Sequence, residues 1–78
     1  PDMLNLRALS YSEMNKNKEA LSDFNEAIGL LPTQGIFWQN RSFFLNKTGD
    51  QAGALRDIRK AQELGIKVNP GYIKTLEK

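Results

Sequence analysis

The chain has 78 residues, of which 40% are hydrophobic and 26% are charged, so it can form one small domain. It has 11 Lys and Arg and 9 Asp and Glu residues, and the net charge of +2 is too small to indicate nucleic-acid or membrane binding. The absence of Cys and His excludes a disulfide framework and a thiolate metal site, and removes the commonest general base. We therefore expect a protein without catalytic residues, metal or cofactor. No apolar run approaches the ~18 residues of a membrane span, so we expect no membrane insertion.

The first half of the chain predicts two helices separated by a short turn. Apolar residues recur at three- and four-residue intervals from Leu4 to Tyr11, as one face of a helix requires. Residues 15–17 (Asn-Lys-Asn) interrupt this spacing, and Asn tolerates the left-handed conformation that often follows a helix. The spacing resumes at Ala20 and ends at Pro32, which closes the second predicted helix.

The second half predicts two further helices and a short last one. Apolar residues follow helical spacing over 36–45 and again over 54–64. Between them, Gly49 supplies a helix stop and Asp50 supplies an N-cap. Residues 69–70 (Asn-Pro) combine a cap with a first-turn proline, which predicts the start of the last helix.

The two halves coincide when the sequence is laid on itself with a period of about 34 residues. The coinciding apolar and small positions are Leu4 with Trp38, Ala8 with Ser42, Tyr11 with Leu45, Ala20 with Ala54, Leu21 with Leu55, Phe24 with Ile58, Ala27 with Ala61, and Leu30 with Leu64. Two polar identities fall in the same register, Arg7 with Arg41 and Asp23 with Asp57. A second step of the same period brings Trp38 onto Tyr72. The pattern predicts two repeats, 1–34 and 35–68, and a C-terminal capping helix over 69–78, all within one domain.

Small residues stand where the two helices of each predicted hairpin must approach closely. They are Ala8, Ala20, Ala27, Ser42, Ala54 and Ala61. Larger side chains such as Phe24 and Ile58 fall between them, an arrangement that lets helices pack at a short interaxial distance. Neither hairpin can bury its apolar face alone, so consecutive hairpins must stack. Because the core is small, we expect marginal stability, and either a segment of a longer protein or a chain that associates.

This pattern of large, small, aromatic and alanine positions resembles the tetratricopeptide repeat family. The first unit carries it as Leu4, Ala8, Tyr11, Ala20, Phe24, Ala27 and Pro32. The second unit carries it as Trp38, Ser42, Leu45, Ala54, Ile58 and Ala61, with Ile66 in the place of the closing proline. At the position before the small residue, where the family commonly has leucine, this chain has Arg7 and Arg41 instead. The resemblance implies an all-α fold, an α-α superhelix or helical hairpin solenoid with two repeats and a C-terminal capping helix.

The resemblance also implies a concave groove, lined by the first helix of each hairpin, that holds an extended peptide or a partner's helix. Carried onto this chain, the candidate ligand-binding residues are Asn5, Leu9, Ser12, Gln39, Asn40, Phe43, Asn46, Lys47 and Lys74. Amide side chains suit a peptide backbone because each offers donors and an acceptor. An apolar anchor such as Phe43 would supply much of the contact energy.

Each of these candidates has an alternative interpretation. The amides are equally consistent with a solvated helix surface, and Phe43 is equally consistent with contact to a neighbouring hairpin. Phe44 must point elsewhere because it is adjacent to Phe43, and we expect it to pack inside its own hairpin. A clamp for a C-terminal carboxylate, known in some family members, is disfavoured because only Asn40 fits it outright and Lys74 fits it in part.

Charge differs between the two predicted repeats. The first has three basic and five acidic residues, and the second has six basic and three acidic residues. Asp57 and Glu63 interrupt the basic residues Arg56, Arg59 and Lys60 on the fourth predicted helix, which favours a solvated face over a nucleic-acid footprint. The opposite net charges favour, as a hypothesis, head-to-tail stacking with a like unit.

We therefore predict a protein–protein interaction module, a scaffold or adaptor segment that presents a concave groove to a protein or peptide partner. The alternative is a self-association element that completes its helical stack with another copy as a homo-oligomer. Nucleic-acid binding through the basic second repeat is a third and less favoured hypothesis. A start at Pro1 with the first repeat already under way favours a segment of a longer protein, and removal of an initiator methionine would leave the same start.

Overall fold

Five helices joined by short turns make up residues 1–77, the part of the chain that the computed structural model describes, and no strand occurs in that range. They are α1 (Asp2–Glu13), α2 (Asn17–Leu30), α3 (Gly35–Lys47), α4 (Gln51–Glu63) and α5 (Pro70–Leu76). The predicted all-α fold of helical hairpins is confirmed. Lys78, the last residue of the predicted capping helix 69–78, lies outside the described residues. None of the five helices within residues 1–77 combines the length and the apolar character of a membrane-spanning segment.

The helices pack as two hairpins followed by one short helix. The closest packing is within the α1–α2 and α3–α4 pairs. The second hairpin packs against the first mainly through α3, which contacts α2 and also reaches α1. α5 packs against α4 in the same way that α3 packs against α2, so α5 covers the second hairpin as α3 covers the first.

The predicted turn residues carry out the roles expected of them. Asn15 adopts a φ of 61° after α1, and Gly49 and Gly65 adopt a φ of 98° after α3 and α4. This left-handed conformation ends each helix, and Gly adopts it without a steric penalty. The Asp50 side chain caps α4 by accepting a hydrogen bond from the Gly53 backbone N–H at 2.9 Å.

The small residues predicted at helix crossings are fully buried. Ala8, Ala20, Ala27, Ser42, Ala54 and Ala61 have no exposed surface. The Ser42 hydroxyl donates a hydrogen bond to the Ala54 carbonyl at 2.7 Å, which ties α3 to α4 at the crossing. The structure therefore confirms that these positions are points of close helix approach.

The two hairpins share one aromatic contact in the core. The Phe24 ring on α2 and the Phe44 ring on α3 lie 5.5 Å apart between centroids, in a cluster with Ala8 and Ala20. The expectation that Phe44 packs inside its own hairpin is wrong. Phe44 lies two helical turns after Phe37 on the face of α3 that contacts α2, and Phe37 packs there against Ala27. Stacking of the hairpins therefore depends on this face of α3.

An Arg–Asp pair joins the two helices of each hairpin, at the register where the resemblance leads one to expect a leucine. Arg7 donates two hydrogen bonds to Asp23 at 2.6 and 2.9 Å, and Arg41 makes the same two bonds to Asp57. The Arg41 guanidinium also lies 5.0 Å above the Trp38 ring. Hydrogen bonds from Arg7 hold the pKa of the buried Asp23 carboxyl below its usual value.

Enlarging a crossing residue tests this packing. Because Ala54 is fully buried where α3 and α4 meet, Ala54→Leu is expected to lower the free energy of unfolding by about 1–3 kcal/mol through overpacking. Ala20→Leu is expected to act in the same way between α1 and α2. The matched control is Ala52→Leu on the exposed side of α4, with an expected change within about 0.5 kcal/mol. Urea denaturation midpoints measure the difference, and an unchanged midpoint for Ala54→Leu would contradict the crossing assignment.

Candidate functional site

A depression of about 230 Å³ opens between α1 and α3, on the side where the resemblance implies a groove. Its lining residues are Leu9, Ser12, Glu13, Phe24, Asn40, Phe43, Phe44 and Lys47. Five of the nine candidate residues from the sequence are in this lining. Gln39 and Asn46 are half-buried elsewhere on α3, and Lys74 is exposed on α5.

The apolar part of the depression consists of Leu9 and Phe43. These residues occupy equivalent positions in the two hairpins. Both are exposed in part, Leu9 to 36% and Phe43 to 44%. The Phe43 ring also packs edge-on against the Tyr72 ring of α5, with centroids 5.0 Å apart and an interplanar angle of 78°. Phe43 therefore contacts the neighbouring helix while one part of its ring faces solvent.

Lys47 connects the two hairpins at one end of the depression. Its Nζ donates a hydrogen bond to the Ser12 carbonyl in the last turn of α1. A cation at this position satisfies a carbonyl at the helix end and interacts favourably with the helix dipole. Ser12 is buried and bound in this contact, so its main role in this structure is to join α1 to α3.

An amide pair connects the hairpins further along the depression. The Asn40 side chain donates a hydrogen bond to the Asn5 side-chain oxygen at 3.3 Å. Asn5 is buried, whereas Asn40 is half-buried. An amide has two donor hydrogens and an acceptor oxygen, so this one contact leaves Asn40 further hydrogen-bonding capacity. The arrangement makes Asn40 the better placed of the two amides to meet a ligand.

The basic residues of α4 lie outside the depression. Arg56 and Arg59 are exposed, and Arg59 donates a hydrogen bond to Glu77 of α5 at 2.8 Å. Lys60 is half-buried and lines a wider depression between α2 and α4 together with the carboxylates of Asp57 and Glu63. Charges of both signs are therefore interleaved on this face.

Besides Glu13, three residues of the depression or its rim were not among the candidates. Phe24 and Phe44 form its floor, and Tyr72 supports Phe43 from α5. The two-turn spacing between Phe37 and Phe44 is the sequence signal that could have placed Phe44 on the α2-facing side of α3. The sequence contains no comparable signal for the contact between Phe43 and Tyr72.

Comparison with known proteins finds similarity to one kind of repeat protein. The chain is 38% identical over 61 residues to tetratricopeptide repeat protein 36 from Bos taurus and to that from Homo sapiens, and these residues cover 78% of this chain and 32% of each relative. It is 44% identical over 45 residues to the protein of that name from Xenopus tropicalis, with 58% of this chain and 22% of the relative covered. The chain thus spans about a third or less of the length of these relatives. No protein-family model and no solved structure matches the chain. The similarity suggests a tetratricopeptide-like family.

Proposed function

We propose that the chain belongs to the tetratricopeptide repeat family, with repeats 1–34 and 35–68 and a capping helix from residue 69. The similarity over 61 residues supports this assignment. The Arg–Asp pairs support the two repeats rather than the family, because the pair Arg41–Asp57 in the second repeat stands at the same two positions as the pair Arg7–Asp23 in the first. Two such hairpins stacked through α3 are the beginning of a helical hairpin solenoid.

We propose further that the module binds an extended peptide or a helix of a partner protein in the depression between α1 and α3, as a scaffold or adaptor segment. The observation that carries this proposal is the convergence of Leu9 and Phe43 at one opening with the amide of Asn40 and the cation of Lys47. Exposed apolar side chains beside polar groups are what a peptide-binding surface requires, because the former supply contact energy and the latter fix orientation.

The residues of the groove have different proposed roles. Leu9 and Phe43 are the apolar anchors, and Asn40 is the partner for a peptide backbone group. Asn5 and Ser12 act indirectly, because both are buried and hold α1 against α3. Lys47 lines the depression and donates to the Ser12 carbonyl. The remaining candidates extend the surface along α3 and α5, and they are Gln39, Asn46 and Lys74. The proposed activity is binding, and no residue is assigned a catalytic role.

The groove is tested by selecting peptides from a random display library with the full chain as bait. We expect Phe43→Ala to weaken a selected peptide about tenfold or more in fluorescence anisotropy, because it removes the larger apolar anchor. The matched control is Leu30→Ala on α2, an exposed apolar residue that does not line the depression, with an expected change below about twofold. Circular dichroism confirms that both variants are folded. A peptide that binds Phe43→Ala as tightly as the unmodified chain would contradict the proposed site.

A further inference from the structure

The depression between α1 and α3 contains a carboxylate that takes part in no ion pair. Glu13, the last residue of α1, lines the depression together with Leu9 and Phe43 and is exposed to solvent. The ion pairs among residues 1–77 join other residues, and none of them includes Glu13. The negative charge of this side chain is therefore available to a ligand in the depression.

Lys47 is the cation in the same lining, and its charge is already engaged. Its Nζ donates a hydrogen bond to the Ser12 carbonyl in the last turn of α1, and Lys47 is itself the last residue of α3. The C-terminal end of a helix carries about −0.5 elementary charge, so the ends of α1 and α3 together offset the charge of one lysine. Glu13 adds a full negative charge to this balance, which makes this end of the depression electronegative.

Glu13 also stands where a helix disfavours an acidic side chain. A carboxylate in the last turn is repelled by the negative end of the helix dipole, and α1 has no basic residue in its last turn. The register that aligns the two repeats places Glu13 on Lys47, so the second hairpin has a cation at the equivalent position. Proteins break local rules of this kind mainly at functional sites. A cation supplied by a ligand would relieve the repulsion.

The spacing between Glu13 and Leu9 matches that of an extended peptide. The two residues are four positions apart on α1, which corresponds to about 6 Å along the helix axis. In an extended chain, alternate side chains point the same way and lie about 6–7 Å apart. A peptide that lies along α1 can therefore place one side chain over Leu9 and Phe43 and the next but one against Glu13.

We propose that the depression selects an extended peptide with an apolar residue and, two positions from it, a lysine or arginine. The apolar residue contacts Leu9 and Phe43, and the basic side chain pairs with the Glu13 carboxylate. This inference rests on the function proposed above and names the class of ligand for that site. The free N-terminal ammonium of a peptide carries the same charge, and the experiment separates it from a basic side chain.

The first arm of the test compares peptides selected from a random display library by the full chain and by its Glu13→Lys variant. We expect the unmodified chain to enrich Lys or Arg two positions from an apolar residue by about two- to fivefold in each round, the preference that one exposed ion pair supplies. Glu13→Lys should lose this enrichment and favour Asp or Glu at the same place. Circular dichroism confirms that the variant is folded.

The second arm measures the affinity of one selected peptide, synthesised with an acetylated N-terminus, by fluorescence anisotropy. Glu13→Gln should weaken binding about two- to fivefold at ~10 mM salt, and the difference should largely vanish at ~1 M salt because exposed charges are then screened. The matched control is Glu26→Gln on α2, an exposed carboxylate outside the depression, which should leave the affinity unchanged. If Glu13→Gln weakens only the peptide with a free N-terminus, the cation is the ammonium group and the assignment to a basic side chain is overturned.

Failure of this inference can be distinguished from failure of the proposed function. Peptides that require Phe43 but show no enrichment of Lys or Arg, and that bind Glu13→Gln as tightly as the unmodified chain, would overturn the inference and leave the groove in place. If no selected peptide distinguishes the unmodified chain from Phe43→Ala, the groove and the inference are both contradicted.

Discussion

Phe24→Ala is expected to lower the free energy of unfolding by about 3–5 kcal/mol, enough to unfold much of the population of so small a domain. The Phe24 ring is fully buried and lies 5.5 Å from the Phe44 ring across the junction of the hairpins. Truncation removes the apolar contact and leaves a cavity beside Ala8 and Ala20, which are too small to fill it. The loss therefore affects both the first hairpin and its contact with the second.

The measurement is urea denaturation followed by circular dichroism, and the chain provides a matched control. Phe43→Ala is the same change on α3, at a side chain that is partly exposed, and we expect it to lower the free energy of unfolding by less than about 1 kcal/mol. If Phe24→Ala does not fold at all, Phe24→Leu keeps most of the volume and should lose no more than about 1.5 kcal/mol. Equal midpoints for Phe24→Ala and Phe43→Ala would show that Phe24 is not part of the shared core.

The helices and their crossings could be predicted because the information for them is local. A left-handed residue such as Asn15 or Gly49 follows each of the first and third helices, and a capping side chain such as Asp50 precedes the fourth. Close helix approach requires small side chains, so Ala20 and Ala54 mark the crossings without knowledge of the rest of the fold. These features depend on a few neighbouring residues and on the repeat period.

Contacts between hairpins could be predicted only in part, because they depend on how one hairpin is rotated on the next. With the observed rotation, Asn5 contacts Asn40 and Ser12 contacts Lys47. Asn5 and Ser12, which the family resemblance places in the groove, are therefore buried in the structure. The same rotation turns Phe44 toward α2. Helical periodicity indicates which residues share a face, but it contains no information about the angle between two hairpins.

The Arg–Asp pairs could be predicted from the sequence less readily than the helices but more readily than the contacts between hairpins. In the sequence, Arg7 with Arg41 and Asp23 with Asp57 are polar identities in one register, which does not by itself pair the arginines with the aspartates. The arginine and the aspartate have the same separation in sequence in both hairpins, and opposite charges that recur together in this way are a signal for a contact between paired helices. Each pair is a bidentate ion pair that joins the two helices of its hairpin.

Arg41→Met is expected to lower the free energy of unfolding by about 3 kcal/mol, because it leaves the buried Asp57 carboxylate without its bidentate partner. The change also removes the hydrogen bond to Asn25 of α2, so it weakens the second hairpin and its contact with the first. Arg7→Met provides the comparison at the same register. It should have the smaller effect, because the Arg7 side chain is 59% exposed and that of Arg41 only 20%.

A double substitution separates the unpaired charge from the lost packing. If the loss in Arg41→Met arises mainly from the buried carboxylate, then adding Asp57→Leu should recover part of it, since an apolar pair of similar volume can replace a buried ion pair. Urea midpoints of the two single variants and the double variant form the required cycle. A double variant less stable than Arg41→Met would show that Asp57 stabilises the hairpin without Arg41. Recovery of stability in the double variant would show instead that Arg41 stabilises the hairpin chiefly by compensating the buried charge of Asp57.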